Sequence, residues 1–230
     1  TSGNSRLVLD EDIRWYRRDI LLKYKDRYNF YFTSDFGVTD ATTADDSVIL
    51  VWAYSSNGDW YLVDGYVDTG TMDKFIKNLF RLAHEYRPIG VGIERAGQQG
   101  GFIPWIKETM ITKNLWFQIS NSHGSTQEGI RSSKGKLTRF SVVAPWFKLG
   151  KVHLPKEWEK STLVSKLLNQ IRLVTTKGIK GKDDIIDAIS MIGSIEVWKP
   201  SEVVPITEAE DNIYQSEHIA IHNSLSSYIV

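Results

Sequence analysis

The sequence lacks several features that would assign it quickly to a class. It has no cysteine in 230 residues, so disulfides and thiolate metal sites are excluded. It has no apolar run of about 18 residues, so we expect no membrane-spanning helix and no membrane partner. Its five histidines are scattered, and only His218 and His222 have helical spacing, which supports a zinc site poorly. Gly181-Lys182 is followed by Asp183 rather than a hydroxyl residue, so we expect no P-loop and no ATP hydrolysis.

The formal net charge is zero, but the charges are unevenly distributed. Residues 129–182 contain 13 Lys or Arg and two acidic residues, a net charge of +11, so the rest of the chain carries −11. Such asymmetry is typical of a surface that faces a polyanion on an otherwise acidic body. Solvated faces of Lys-rich helices give the same pattern and stay open as an alternative.

The order of the elements predicts an α/β fold. Residues 28–37, 47–54 and 60–67 have the β-branched and aromatic content of strands, and Asn57-Gly58 predicts a hairpin between the last two. Helical and strand patterns then alternate, which predicts a five-stranded mixed sheet, three antiparallel strands then two parallel ones, flanked by helices. The later predictions are a helix after Thr71, a strand at 88–94, a helix at 102–110, a strand at 115–119, a mobile Ser/Gly-rich loop at 121–135, and helices near 136–149, 158–174 and 183–198. We expect a lead-in helix within 1–27, a main domain at 28–198 and a tail at 199–230.

Acidic residues stand where this fold would bring them together. Asp35 ends the first strand, and Glu94 ends the fourth, which is the expected neighbour of the first. Asp184 and Asp187 are three residues apart near the start of the last helix, so they share one helical face. A set of carboxylates without Cys or clustered His suits Mg²⁺ or Mn²⁺, two of which can cleave a phosphodiester.

Each acid also has a structural explanation. Asp35 before Phe36-Gly37 has the composition of a turn, and Asp183 or Asp184 can cap a helix. Glu94 is harder to explain in this way, because it follows a buried-type strand and an unpaired buried charge is costly.

The order and spacing of these motifs resemble the C-terminal nuclease part of the large terminase subunits of tailed phages and related viruses, which belongs to the ribonuclease H-like superfamily. The resemblance covers about residues 28–198. It rests on Ser34-Asp35-Phe36-Gly37, Asp46, Gly92-Ile93-Glu94, Lys134 to Arg139, Trp146 to Pro155 and, most specifically, Lys182-Asp183-Asp184-Ile185-Ile186-Asp187-Ala188.

The resemblance implies a ribonuclease H-like endonuclease that cuts concatemeric double-stranded viral DNA during genome packaging. It implies Asp35, Glu94 and Asp184 as catalytic, metal-binding acids, with Asp187 as an additional or alternative ligand. Asp46, Asp183 and Lys182 would stand behind them, and Lys182 occupies a position where many members carry His. The implied DNA contacts are Lys134, Lys136 and Arg139, for which ordinary helix-surface charge is the alternative.

The resemblance also implies partners: an ATPase domain of the same full-length protein, absent here, and further contacts with a portal and a small terminase subunit. It implies the host cell cytoplasm as the location of this viral protein. Two other functions stay open, a Holliday-junction resolvase-like nuclease and a non-catalytic docking module.

Overall fold

A seven-stranded mixed sheet forms the centre of the protein in this computed structural model, which describes residues 5–37, 46–95, 102–132 and 134–201. In space the strands follow the order β1-β7-β4-β3-β2-β5-β6. β2, β3 and β4 pair antiparallel, and the remaining neighbours pair parallel. The strands are β1 (Arg14–Tyr16), β2 (Asn29–Asp35), β3 (Ser47–Tyr54), β4 (Trp60–Asp68), β5 (Gly90–Ile93), β6 (Gln118–Ile119) and β7 (Val152–Pro155), with a separate hairpin of β8 (Val174–Thr175) and β9 (Gly178–Ile179).

Six α-helices accompany the sheet in the described ranges: α1 (Arg18–Lys23), α2 (Met72–Tyr86), α3 (Phe102–Lys113), α4 (Lys136–Lys148), α5 (Thr162–Arg172) and α6 (Asp184–Ser190). None of them is long and apolar enough to cross a membrane. The described residues up to Pro200 form one compact unit of contacts.

The sheet is buried on both faces, and the pleat of its strands divides the core into two clusters. In β3, Leu50 and Trp52 belong to the cluster beneath α4, α5 and α6, whereas Ile49 and Val51 belong to the cluster beneath α2 and α3. Successive side chains of a strand point to opposite faces, so one central strand supplies both clusters. The near-continuous apolar content of β3 follows from this double burial.

The predicted α/β class and the antiparallel meander are confirmed, and β5 pairs with β2 as expected. The hairpin at Asn57-Gly58 is present, with Gly58 at a φ of +80°, a conformation that glycine adopts without strain. The sheet has seven strands instead of five, because β1 and β7 add to the free edge of β4. Strands of three and four residues are too short to give a period-2 signal.

The lead-in helix predicted within 1–27 is present as the short helix α1, and the described part of this segment also contains β1 and 3₁₀ turns. The last helix, predicted to 198, ends at Ser190 and continues only as a 3₁₀ turn to Gly193. The tail predicted at 199–230 lies outside the described residues from 202 onward.

Candidate active site

Two acids reach the same face of the sheet because of strand alternation. Asp35 is the last residue of β2 and shares a face with Tyr31 and Thr33, on the side covered by α6. Glu94 follows β5, in which Val91 and Ile93 belong to the opposite cluster, so alternation turns Glu94 to the α6 side. Because β2 and β5 are parallel neighbours, both carboxylates lie at the same end of the sheet.

The segment that follows the helix with the other acids packs closely on β5. A Cβ atom added to Gly92 would lie 2.6 Å from Sδ of Met191, so the absence of a side chain at Gly92 admits the segment after α6. The first turn of α6 is held by Gln170, whose Oε1 accepts hydrogen bonds from the backbone N–H groups of Ile185 (2.9 Å) and Ile186 (3.3 Å). These contacts satisfy two of the donors that a helix start leaves without partners, and they fix α6 over the sheet.

The four acids form one electrostatic cluster, which we call the acidic cluster: Asp35, Glu94, Asp184 and Asp187. Burial, followed by repulsion from Asp187, Glu94 and Asp184, raises the pKa of Asp35 to about 8. Burial also raises the pKa of Asp187, although Lys136 and Arg139 act in the opposite direction. The surrounding side chains therefore compensate the negative charge of the acidic cluster only in part.

Two basic side chains of α4 approach the acidic cluster. Lys136 Nζ lies 2.8 Å from Oδ1 of Asp183 and 2.8 Å from Oδ2 of Asp187. Arg139 Nη2 lies 2.8 Å from the other oxygen of Asp187, and its Nη1 donates to Oγ of Ser132. Partial burial disfavours the charged form of Lys136, but its bonds to the two carboxylates outweigh this and raise its pKa. The positive charge of α4 thus compensates one side of the cluster.

Asp46 supports the cluster from the start of β3. Its backbone N–H donates to Oδ2 of Asp184 at 3.2 Å. Its own carboxylate is 2% exposed and is held by Lys166 at 2.8 Å and Lys182 at 3.5 Å. Asp46 therefore orients Asp184 through the backbone while its side-chain charge is compensated elsewhere.

The donors of the acidic cluster suit a hard divalent cation. Four carboxylates on three elements, one of them with a strongly raised pKa, provide the oxygen ligands that Mg²⁺ and Mn²⁺ prefer and a charge that such ions neutralise. Within the ranges that the structure describes, no group of three or more Asp, Glu or His side chains is already arranged to hold an ion. In addition, both carboxylate oxygens of Asp187 are engaged by Lys136 and Arg139.

The Ser/Gly-rich loop predicted to be mobile is tied to the sheet beside Glu94. Ile130 N–H donates to the carbonyl of Ile93, and Arg95 N–H donates to the carbonyl of Ile130, both at 2.8 Å. Ile130 is buried in the core, and Gly129 N–H donates to Ser120. The prediction of a mobile loop at 121–135 is wrong for its first part, residues 121–130, because backbone hydrogen bonds tie this part to the sheet.

The structure thus brings together Asp35, Glu94, Asp184 and Asp187, as the sequence predicted. Lys136 and Arg139, predicted to contact DNA, both pair with Asp187, and Lys136 is exposed at the surface, as is Lys134. Sequence reasoning missed Gln170 and Lys166, because helical periodicity explains both as ordinary residues of α5.

A further cavity of about 620 Å³, lined among others by Trp60, Trp146 and Trp198, adjoins the far end of β3. That end is about 20 Å from Val48, the partner of Asp35.

Comparison with known proteins agrees with this geometry. The family model described as terminase RNaseH-like domain matches residues 33–194, a range that contains all four acids. No curated protein matches the chain.

Solved structures of viral terminases are similar in fold. The human cytomegalovirus terminase nuclease domain superposes with a TM-score of 0.57 at 12% identity, over 83% of this chain and 100% of that one. The large terminase nuclease of the thermophilic phage G20c, with bound magnesium, gives 0.52 at 16% identity, over 84% and 98%. The large terminase of a second thermophilic bacteriophage gives 0.52 at 13% identity over 83% of this chain, which spans only 43% of that protein's length.

Proposed function

This chain belongs to the family of terminase RNaseH-like domains, and on that basis we propose that it is a divalent-metal-dependent endonuclease that cleaves double-stranded DNA. The observation that carries the proposal is the convergence of Asp35, Glu94, Asp184 and Asp187. Burial, followed by repulsion from the other three acids, raises the pKa of Asp35 to about 8. A structural role alone gives no reason to collect four carboxylates at one end of a sheet, where their repulsion is costly.

We assign Asp35, Glu94 and Asp184 as the catalytic acids, which hold two divalent ions together with Asp187. The ions are Mg²⁺ or Mn²⁺, and when bound they supply water activation and stabilisation of the leaving oxygen in phosphodiester cleavage. Asp35 is central in this set, because it interacts with all three other acids. The magnesium bound to the G20c nuclease, a protein of similar fold, supports this choice of cofactor.

The neighbouring residues orient the acids and meet the DNA. Asp46 orients Asp184 through its backbone N–H, and Lys182 compensates the carboxylate of Asp46. Asp183 shares Lys136 with Asp187. Lys134, Lys136 and Arg139 provide positive charge for the phosphate backbone, which is a contact independent of base sequence.

The biological substrate that we propose is concatemeric viral DNA, cut during genome packaging in the host cell cytoplasm. The proposal follows from the terminase family and not from the fold, which hosts other activities. In this setting the partners are an ATPase domain of the same full-length protein, with a portal and a small terminase subunit as further candidates. The large terminase of the second thermophilic phage, of which this chain spans 43%, is long enough to include another domain.

Plasmid cleavage tests the catalytic proposal. The purified chain should nick and linearise plasmid in Mn²⁺ or Mg²⁺ and lose this activity in excess chelator. Asp35→Asn and Glu94→Gln should each lower the rate on the order of a hundredfold or more, since even partners that only orient metal ligands contribute roughly 10–100-fold. Asp73→Asn is the matched control, because Asp73 is exposed on α2, which covers the face of the sheet opposite α6.

The same assay separates the alternative functions. A docking module would leave plasmid intact in every metal while remaining folded. A resolvase-like enzyme would cut four-way junctions in preference to linear duplex of the same sequence. Either result would contradict the proposed function.

A further inference from the structure

A cavity beside the acidic cluster collects positive charge and hydroxyl groups. It has a volume of about 280 Å³ and lies between the loop after β6, helix α4 and the end of α6. We call it the basic cavity and define it by Ser122, Arg131, Lys134, Arg139, Ser190 and Ser194. Among the described residues that line it there is no Asp or Glu.

The walls of the basic cavity are fixed by contacts within the protein. Oγ of Ser122 accepts a hydrogen bond from the backbone N–H of Arg131 at 2.8 Å, which closes the loop. Ser122 also forms a β-bridge with Ile195, which ties the loop to the segment after α6. Arg139 is held by Ser132 and Asp187. The cavity is therefore built before any ligand arrives.

Two of the three cations of the basic cavity are not balanced by an acid in the described part of the protein. Neither Arg131 nor Lys134 forms an ion pair with any residue that the structure describes. Nε of Arg139 is a buried donor without a hydrogen-bond partner there, although the other side of the guanidinium is engaged. Three cationic side chains facing one cavity repel each other, and an anion with several acceptor oxygens relieves this repulsion.

The basic cavity stands at a defined distance from the acids. Asp187 belongs to the acidic cluster, and Ser190 and Ser194 follow it by three and seven residues on the same helical segment. At a rise of 1.5 Å per residue, this places the cavity about 5–10 Å along the axis from Asp187. Nucleotides rise by about 3.4 Å each along the axis of a duplex, so an axial offset of this size corresponds to roughly one to three nucleotides.

We propose that the basic cavity binds one backbone phosphate of the DNA strand, one to three nucleotides from the bond that is cut at the acidic cluster. This inference rests on the proposed nuclease function and adds a contact that sets the register of the strand. Arg131 and Lys134 provide the charge, and the hydroxyls of Ser122 and Ser194 are within the same cavity to donate to the phosphate oxygens. Arg139 links the two sites, because it lines the cavity and pairs with Asp187.

Neutral-linkage scanning tests the inference with the full chain. A set of duplexes carries one methylphosphonate each, which removes the charge of a single phosphate at successive positions around a mapped cut. For the wild type, one position within three nucleotides of the cut should reduce cleavage about five- to tenfold, in keeping with one charge-assisted contact. In the double variant Arg131→Ala/Lys134→Ala, which leaves Arg139 and Asp187 untouched, the neutral linkage at that position should have no further effect.

Salt dependence gives a second measurement in the Asp35→Asn background without divalent ions. The double variant should reduce the slope of log K against log salt by about 0.9, and not by twice that value, because both cations face one phosphate. Lys148→Ala on the same helix α4 is the matched control, since Lys148 is exposed and does not line the cavity, and its slope should equal that of the parent.

The outcomes separate this inference from the proposed function. One result would overturn the inference: the wild type cuts DNA, but no single methylphosphonate reduces its cleavage more than it reduces cleavage by the double variant. The basic cavity would then bind no strand phosphate. A cavity that serves free phosphate gives that same position-independent result and overturns the inference as well. If the wild type cuts no DNA in any metal, the proposed function itself is wrong. Circular dichroism and thermal unfolding of each variant confirm that it is folded.

Discussion

Lys136 forms an ion pair with Asp187 in which Nζ lies 2.8 Å from Oδ2. The two partners differ in environment, because the side chain of Asp187 is 4% exposed and that of Lys136 is 48% exposed. The buried carboxylate depends on the pair more than the ammonium does. The ammonium group of Lys136 thus pairs with Asp187, one of the acids that we propose to bind divalent ions.

Removing this ammonium should make the protein more dependent on metal. Lys136→Met keeps the aliphatic volume but leaves Asp187 with Arg139 alone. We expect the free energy of unfolding without divalent ions to fall by about 1 kcal/mol, less than for a fully buried pair because Lys136 is half exposed. Added Mn²⁺ should then raise the stability of the variant more than that of the wild type. Urea unfolding with and without Mn²⁺ measures both effects, with Lys148→Met as the control; equal responses would show that Lys136 does not compete with the ion.

Asp35→Asn should have opposite effects on activity and on stability. It removes one charge from four mutually repelling acids, so the melting temperature without divalent ions should rise by a few degrees while DNA cleavage is lost. Differential scanning calorimetry in chelator, together with the plasmid assay, tests this. A folded variant that still cleaves at the wild-type rate would remove Asp35 from the catalytic set.

The chain should cleave DNA with little sequence preference. The sequence contains no zinc finger, basic zipper or helix-turn-helix pattern, so no base-reading element is evident, and the charges near the acids suit phosphates. A defined plasmid digested in Mn²⁺ should yield ends at many positions when these are mapped by sequencing. Ends confined to one or a few sites would show that the domain has its own specificity. If the domain has little sequence preference, we expect the proposed ATPase domain or the portal to control where the DNA is cut.

Acidification should destabilise the fold through His153. Burial lowers the pKa of this imidazole, which stacks on Tyr61 and faces Asp59, Lys151 and Arg14. The unfolded chain therefore binds the proton more readily than the folded protein does. The contribution of neutral His153 is fully present above about pH 6.5 and is lost as the pH falls below that value.

His153→Phe keeps a ring against Tyr61 and removes the titrating group. Between about pH 7.5 and about pH 5, its free energy of unfolding should decrease less than that of the wild type, as measured by urea unfolding. His84→Gln is the control, because His84 is exposed on α2. An identical pH dependence for His153→Phe and wild type would disprove the role of His153.

The sequence predicted those elements whose signal is local. The long strands β3 and β4 and helix α2 follow from β-branched content and amphipathic periodicity, and the hairpin follows from Asn57-Gly58. The addition of β1 and β7 to the sheet was not predicted, since this pairing depends on an available sheet edge and not on a pattern within three or four residues. The loop after β6 was misjudged because its serines and glycines indicate mobility, whereas Ile130 anchors it in the core.

The proximity of the four acids could be predicted because each lies at the end of a strand or near the start of a helix, which are positions that a topology brings together. The compensation of Asp187 by Lys136 and Arg139 was not predicted, because it depends on the angle at which α4 crosses α6. The same limit applies to Arg131 in the basic cavity, whose place depends on a loop closed by Ser122.

The alternation in β2 makes Asp35 sensitive to the length of its strand. Tyr31, Thr33 and Asp35 share one face, and Phe30 and Phe32 share the other. Inserting or deleting a single residue within β2 would turn every later side chain to the opposite face, so Asp35 would enter the apolar cluster beneath α2 and α3. Related sequences should therefore vary in the identity of residues along this strand far more than in their number, with gained or lost residues confined to the segments outside it.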